Sequence, residues 1–268
     1  MQECTGKTLG MAKWAKNVIH RINPKISEIF RSYQPRDVGK MKSPNKTHVV
    51  RIALTGGPCA GKSSSVETIV KKSRKHGFDV VIAPEMPTLI FNSGIQMPEE
   101  PNERFTFAFQ SSNVALQLQL ERSLTNICAC TNRPTILVYD RGIMDSKAYI
   151  DKDGWQNVLK YIDDHHATRK FDEDYILERY DGVVHLETAA KGAEDFYKNG
   201  WTKDDMGKKV FRKETIEEAR EMDDIMIDCW KNHKKHFIVG NLSHNTFEDK
   251  LDAVSDCILK IAESKHPK

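Results

Sequence analysis

Residues 56–63 read Gly56-Gly57-Pro58-Cys59-Ala60-Gly61-Lys62-Ser63, a loop with the spacing G-x-x-x-x-G-K-[ST]. Glycines at these places let backbone amides turn inward onto phosphate oxygens. The spacing puts a helix start at the end of the loop, so the positive end of a helix dipole faces the same anion. Lys62 is then placed to bridge the β- and γ-phosphates, and the Ser63 hydroxyl to ligate Mg²⁺. The context agrees. The apolar run His48–Thr55 leads straight into the loop, and Ser64, Val66, Ile69 and Val70 continue from it with helical spacing. Gly56, Gly57, Pro58, Cys59, Ala60, Gly61, Lys62, Ser63 and Ser64 are therefore the candidate cradle of a nucleoside triphosphate, GTP or ATP, bound with Mg²⁺.

Working outward, a second acid is needed on the metal side. Ile136-Leu137-Val138-Tyr139-Asp140 is an apolar strand ending in one, so Asp140 is the expected Mg²⁺-side carboxylate. The next residue is Arg141, not the water-activating Glu of a motor ATPase; an Asp-Arg pair here is the habit of nucleotide and nucleoside kinases. Such kinases also carry an acid after the second strand, and Val80-Val81-Ile82-Ala83-Pro84-Glu85 supplies Glu85, a candidate general base toward a hydroxyl or water, or else a cap for the next turn. Between Lys191 and Lys213, the residues Lys198, Lys203, Lys208, Lys209 and Arg212 are interspersed with Gly192, Gly200 and Gly207. They read as a cationic lid over a phosphoryl-transfer site, with Arg212 its best single residue, or as a solvated loop. Asn241 opens the turn after the last strand, where backbone groups are expected to cup the base without telling adenine from guanine.

Strand-like runs rich in Val, Ile and Leu recur at His48–Thr55, Asp79–Ala83, Thr135–Tyr139, Gly182–Leu186 and His236–Val239, each pair separated by enough chain for a helical crossover. Thr215 and Glu218 form a capping-box pattern ahead of the stripe Ile216, Ala219, Met226, Ile227 and Trp230, and Phe247, Leu251, Val254, Ile258 and Ile261 form a second stripe. The expected fold is a three-layer α/β P-loop domain, nucleotide-kinase-like, with a parallel five-stranded sheet in the order 2-3-1-4-5 over residues 47–268.

Residues 1–46 form a separate basic head in this reading. They hold ten Lys/Arg against three Asp/Glu, a net +7, while the rest of the chain is −4. Met11, Trp14, Val18, Ile19 and Ile22 share one helical face of this head before Pro24, as in a segment lying on an anionic membrane surface, a transit peptide or a helix packed on the domain. No apolar run approaches the ~20 residues of a bilayer span. The six cysteines have no framework or zinc spacing, and no signal peptide is visible, so the expected compartment is the cytoplasm, with peripheral membrane contact. The acidic body gives no reason to expect nucleic acid as a partner.

Taken together, Thr55–Ser64 (TGGPCAGKSS), Ala83-Pro84-Glu85, Val138–Gly142 (VYDRG) and Arg212–Ala219 (RKETIEEA) resemble the AAA-like domain of NadR-type kinases and, more closely, the TRPL translocation defect protein 14 family over about residues 47–264. That resemblance implies a P-loop domain binding GTP and phosphoinositide lipid in membrane protein trafficking, with Gly56–Ser63 as the nucleotide cradle; it marks no lipid-binding residue. Because that family continues into a further C-terminal domain, it also implies that a chain ending at Lys268 is a short form or fragment. Three functions follow as expectations: a regulatory Mg²⁺-dependent NTPase of trafficking, a small-molecule kinase with Glu85 as base, or a membrane-surface adaptor with structural nucleotide.

Overall fold

In the computed structural model, the apolar runs are the strands β1 (Val49–Gly56), β2 (Asp79–Ala83), β3 (Thr135–Asp140), β4 (Gly182–Leu186) and β7 (His236–Val239). The residues described are 48–131, 133–198, 200–203, 209–212 and 214–266, the backbone alone for 201–203 and 209–212. The five strands form one parallel sheet in the order β2-β3-β1-β4-β7. Counted within the sheet this is the expected 2-3-1-4-5. β3 lies between β1 and β2 with Leu54 opposite Asp140 and Tyr139 opposite Ala83, so the P-loop, Asp140 and Glu85 leave the sheet at one edge.

Both sheet faces are covered, which is why the strands read as nearly unbroken apolar runs. Side chains alternate across a strand. Val49 and Ala53 join Leu137, Tyr139 and Val183 in a buried cluster with Val114, Leu118, Trp155 and Trp230. These partners come from α3 (Glu103–Cys130), α4 (Lys152–His165) and α6 (Ile216–Trp230). Against the opposite face lie α1 (Lys62–Lys75) and α7 (Phe247–Lys265), which pack on each other and on β1. A short α2 (Met86–Asn92) follows β2, a 3₁₀ segment Ile143–Tyr149 follows β3, and α5 spans Glu173–Leu177.

The expected capping box is formed. Thr215 Oγ1 accepts from the Glu218 amide at 3.2 Å, and the Glu218 carboxylate accepts from the Thr215 amide at 2.8 Å. Both stripes face inward at Ala219, Met226 and Trp230 and at Leu251, Val254, Ile258 and Ile261, whereas Phe247 stays 48% exposed beside the P-loop. The segment expected as a lid carries an antiparallel pair, β5 (Gly200–Lys203) with β6 (Lys209–Arg212). Residues 204–208, Lys213 and the Arg212 side chain lie outside the described residues, as does the whole basic head with its Met11–Ile22 stripe. Among the described residues, no helix is long and apolar enough to cross a membrane.

Candidate active site

The loop 56–63 lies between β1 and α1 as its spacing requires. Gly56 has φ of +147°, and a Cβ there would sit 2.2 Å from the Leu186 carbonyl oxygen, so only glycine fits. Cys59 takes a left-handed φ of 55° without being glycine, as does Arg141 at 72°. Such conformations cost free energy and cluster where a site dictates the backbone. Gly61 caps α1, whose last turn carries Lys72, Arg74 and Lys75 at the negative end of its dipole.

Two buried ionic side chains clamp the loop from outside. Asp223 on α6 is fully buried. Its Oδ1 accepts from the Gly57 amide at 2.9 Å, from His185 Nε2 at 3.0 Å and from the Thr188 amide at 3.2 Å, while Oδ2 accepts from Lys191 Nζ at 3.0 Å. Burial alone would raise this carboxyl; His185 and Lys191 outweigh it and hold it below its ordinary value. Lys250 on α7 donates to the Ala60 carbonyl at 3.1 Å, the Glu187 carbonyl at 2.7 Å and Asn241 Oδ1 at 2.7 Å. Its ammonium is pushed down to about 8 by burial. Thr188 Oγ1 also donates to the Pro58 carbonyl. The Gly57 amide is thus engaged by Asp223, and the bare glycine lets the loop approach that carboxylate. A Cβ there would meet Asp223 Oδ1 at 2.7 Å.

The catalytic-type residues gather at the same edge. Lys62 Nζ donates to the Gly56 carbonyl at 3.2 Å, and burial together with Arg141 pushes its ammonium below the ordinary value. Burial pushes the Asp140 carboxyl up to about 6, reinforced by Glu85 and Asp145 against Lys62 and Arg141. Its Oδ1 is buried with no hydrogen-bond partner. An orphaned carboxylate oxygen at the P-loop, with the exposed Ser63 hydroxyl on the first turn of α1, is a donor set that fits Mg²⁺, a hard cation preferring oxygen.

Glu85 is braced on both oxygens: Oε1 accepts from Arg141 Nε at 2.6 Å and Oε2 from Thr88 Oγ1 at 2.7 Å. Burial would raise its carboxyl, but Arg141 and Lys62 outweigh it and keep Glu85 ionised. Arg141 continues to the P-loop, with Nη1 3.4 Å from the Gly56 carbonyl and 3.5 Å from Met226 Sδ. Asp145 completes the floor. Its Oδ1 accepts from Thr55 Oγ1 at 2.5 Å and Trp230 Nε1 at 3.1 Å, and its Oδ2 from the Gly142 amide at 2.8 Å.

Beside this cluster opens a cavity of about 420 Å³, lined among others by Glu85, Arg141, Asp145, Phe109, Gln110 and Asn113. Asn241 does not face it. Its Nδ2 donates to the Thr188 and Lys191 carbonyls at 2.7 Å, its amide to Glu187 Oε2 at 3.2 Å, and its Oδ1 takes Lys250. The expected base contact at Asn241 thus finds its amide and side chain engaged in a brace. Arg212 is placed only as a residue of β6, paired with Gly200.

Residues 51–250 match the protein family described as AAA domain. The chain belongs to that family. A search of the curated proteins finds no match to this AAA domain. Among solved structures, a NadR protein in complex with NAD and AMP-PNP is similar, with 10% sequence identity and a TM-score of 0.51 over 81% of this chain. The match covers 50% of the NadR chain, so this chain spans about half the length of that protein. At this identity the likeness shows the fold: a P-loop NTPase or kinase arrangement.

Sequence reasoning missed Asp145, Asp223, Lys250 and the helix α3. Asp145 had a local signal, three residues beyond Gly142, whose amide it caps. On α3 the polar residues Gln110, Asn113, Gln117 and Glu121 recur at helical spacing within an apolar helix, and that periodicity marks an inward polar stripe. Asp223 and Lys250 sit within apolar stripes and carried no local signal.

Proposed function

We propose that this AAA domain is a small-molecule kinase that binds a Mg²⁺-nucleoside triphosphate on the P-loop and transfers its γ-phosphoryl group to a hydroxyl held in the adjoining cavity. The observation that carries this reading is the cavity itself, walled by Glu85 and Arg141 and joined to the P-loop through the Arg141–Gly56 contact. An NTPase that only hydrolyses needs a water at this place, not 420 Å³ of lined space.

In this reading the α1 amides and Lys62 hold the phosphates, and Ser63 and Asp140 would hold Mg²⁺, which supplies positive charge against the phosphate oxygens when bound. Glu85, kept ionised by Arg141, accepts the hydroxyl proton as the new oxygen–phosphorus bond forms and the bond to the β-phosphate oxygen breaks. No observation at the site favours the phosphoinositide or trafficking role that the sequence resemblance implied.

Thermal-shift titration with ATP and GTP, with and without Mg²⁺, tests the first half and names the base. A ligand at a hundredfold excess over Kd stabilises by about 2.7 kcal/mol. Diphosphate release that requires an added hydroxyl compound supports the kinase. Steady release with nucleotide alone would return the reading to a regulatory NTPase.

A further inference from the structure

Three arginines from separate segments converge on one phenol. Tyr175 lies in the short α5 and is half-buried. Arg169, from the segment between α4 and α5, holds its guanidinium 4.1 Å from the centre of the Tyr175 ring. Arg179, just past α5, donates through Nη1 to the phenol oxygen at 3.2 Å and lies 5.7 Å from the same ring centre. Arg122, from α3, also reaches this oxygen. A cation–π contact accounts for one guanidinium at a tyrosine face, not for three at one neutral hydroxyl.

The neighbouring acids leave this positive charge largely in place. Glu121 is buried and answers Arg179, taking its Nε at 2.7 Å and its Nη2 as well. Asp172 and Glu173 turn to other partners. Asp172 accepts from the Tyr175 amide at 2.9 Å and pairs with Lys170 at 2.9 Å. Glu173 takes Lys147 at 2.7 Å and Trp155 Nε1 at 2.8 Å.

The phenol responds to these surroundings. Burial would raise Tyr175, but Arg179, with Arg122 and Arg169, outweighs it and holds the phenol below its ordinary value. Tyr139 and Tyr180 show the contrast, since burial and Glu121 push both phenols up. The Tyr175 oxygen therefore sits where negative charge is favoured. A phosphate there would bring a charge of about −1.5 to −2 and three strong acceptors, which arginine forks match in pairs. In the sequence, Asp172-Glu173-Asp174 runs directly into Tyr175, an acidic approach suited to a basic substrate groove.

We propose that Tyr175 is a phosphorylation site and that Arg122, Arg169 and Arg179 hold its phosphate, tying α3 to the segments on both sides of α5. A separate protein-tyrosine kinase supplies the group from ATP. The bond from the phenol oxygen to the γ-phosphorus forms, the bond to the β-phosphate oxygen breaks, ADP leaves, and the phenol proton passes to a base of that kinase. Tyr175 and the three arginines stand outside the loop 56–63 and the cavity beside it, so this site does not rest on the nucleotide reading above.

The test incubates the full chain with a purified protein-tyrosine kinase and Mg²⁺-ATP, with a peptide of residues 168–181 alongside, and reads the labelled sites by mass spectrometry. A second preparation of the full chain carries phosphotyrosine placed at 175 by amber suppression, for melting measurements. Labelling is expected at Tyr175 in the folded chain and is lost in Tyr175→Phe. The phosphorylated chain is expected to melt about 2–6 °C higher, the worth of one to three charge-assisted hydrogen bonds in a chain of this size, with a smaller gain in high salt. Arg169→Gln, at an exposed position, should remove roughly half of that gain, read as the difference between modified and unmodified forms of the same variant so that any change in basal stability cancels.

Labelling of the peptide but not of the folded chain, or of neither, overturns the modification site. A phosphorylated chain that melts at or below the unmodified one, or a gain indifferent to Arg169→Gln, overturns the arginine assignment. Inorganic phosphate that stabilises the unmodified chain, in a manner Arg169→Gln abolishes, would assign the cluster to an external anion and overturn the covalent reading.

Discussion

Lys62 and Asp140 separate binding from stability at single positions. Lys62 is half-buried and, among the described residues, its ammonium donates to the Gly56 carbonyl, so Lys62→Ala is expected to remove a phosphate contact and no core packing. Its triphosphate affinity should fall roughly tenfold or more, while its melting temperature without ligand stays near wild type. Unchanged affinity and Mg²⁺ dependence would falsify the cradle assignment. Asp140 gives opposite signs in two measurements. Its carboxyl is pushed from 3.8 up to about 6 by burial first, so between those values the folded chain holds a proton that the unfolded chain releases. Stability without ligand is therefore higher below this window and declines as pH rises through it. Asp140→Asn should flatten that decline and be more stable than wild type at pH 7, by up to about 3 kcal/mol. The same variant should lose nucleotide affinity mainly in the presence of Mg²⁺. An equal loss with and without the ion would make Asp140 a structural strand-end residue.

At the scale of elements, the P-loop is a strained segment held by two helices. Asp223 from α6 fixes the Gly57 amide and Lys250 from α7 fixes the Ala60 carbonyl. Both also reach the segment after β4: Asp223 through the Thr188 amide and Lys191, Lys250 through the Glu187 carbonyl. The segment after β4 and the loop 56–63 are thus braced by the same two side chains. Lys250→Met keeps the volume and leaves three oxygens without a donor. It is expected to lower stability by about 2–4 kcal/mol in denaturant unfolding and to weaken nucleotide binding. Wild-type affinity in a destabilised but folded Lys250→Met would show that the clamp supports the fold without shaping the cradle.

At the scale of the whole molecule, the charge division at residue 46 is proposed as a functional boundary, with 47–268 as the nucleotide domain. A chain starting at Lys46 should bind triphosphate like the full chain. Each Lys/Arg near an anionic bilayer is worth about 1 kcal/mol, less in salt. The head, with its net +7 and Trp14, should therefore carry the full chain onto anionic vesicles in sedimentation, with affinity falling as salt rises, while the shorter chain stays in solution. Equal sedimentation of both would move any lipid contact to the globular part, where Lys198–Lys213 is the next candidate.

What the sequence determined by itself was local. Loop 56–63 announces its glycines and lysine within eight residues, each strand is a short apolar run, and Asp140 and Glu85 follow strands directly. Parallel strands joined by crossovers then leave few orders for the sheet, which is why 2-3-1-4-5 was legible. The tertiary structure decided what depends on distant pairs. Gly57 meets Asp223 across 166 residues, and Arg141 meets Glu85 across 56. Nothing in the composition of an amphipathic stripe distinguishes a buried Asp223 or Lys250 from a solvated neighbour until packing has placed a P-loop amide or carbonyl against it. The cavity arises in the same way. Its aromatic wall comes from α2 and α3, its acids from the ends of β2 and the segment after β3, and its unpartnered amide oxygens from the turn of α3 that faces them. A hollow is set by the spacing between elements, and that spacing is fixed only when the layers pack.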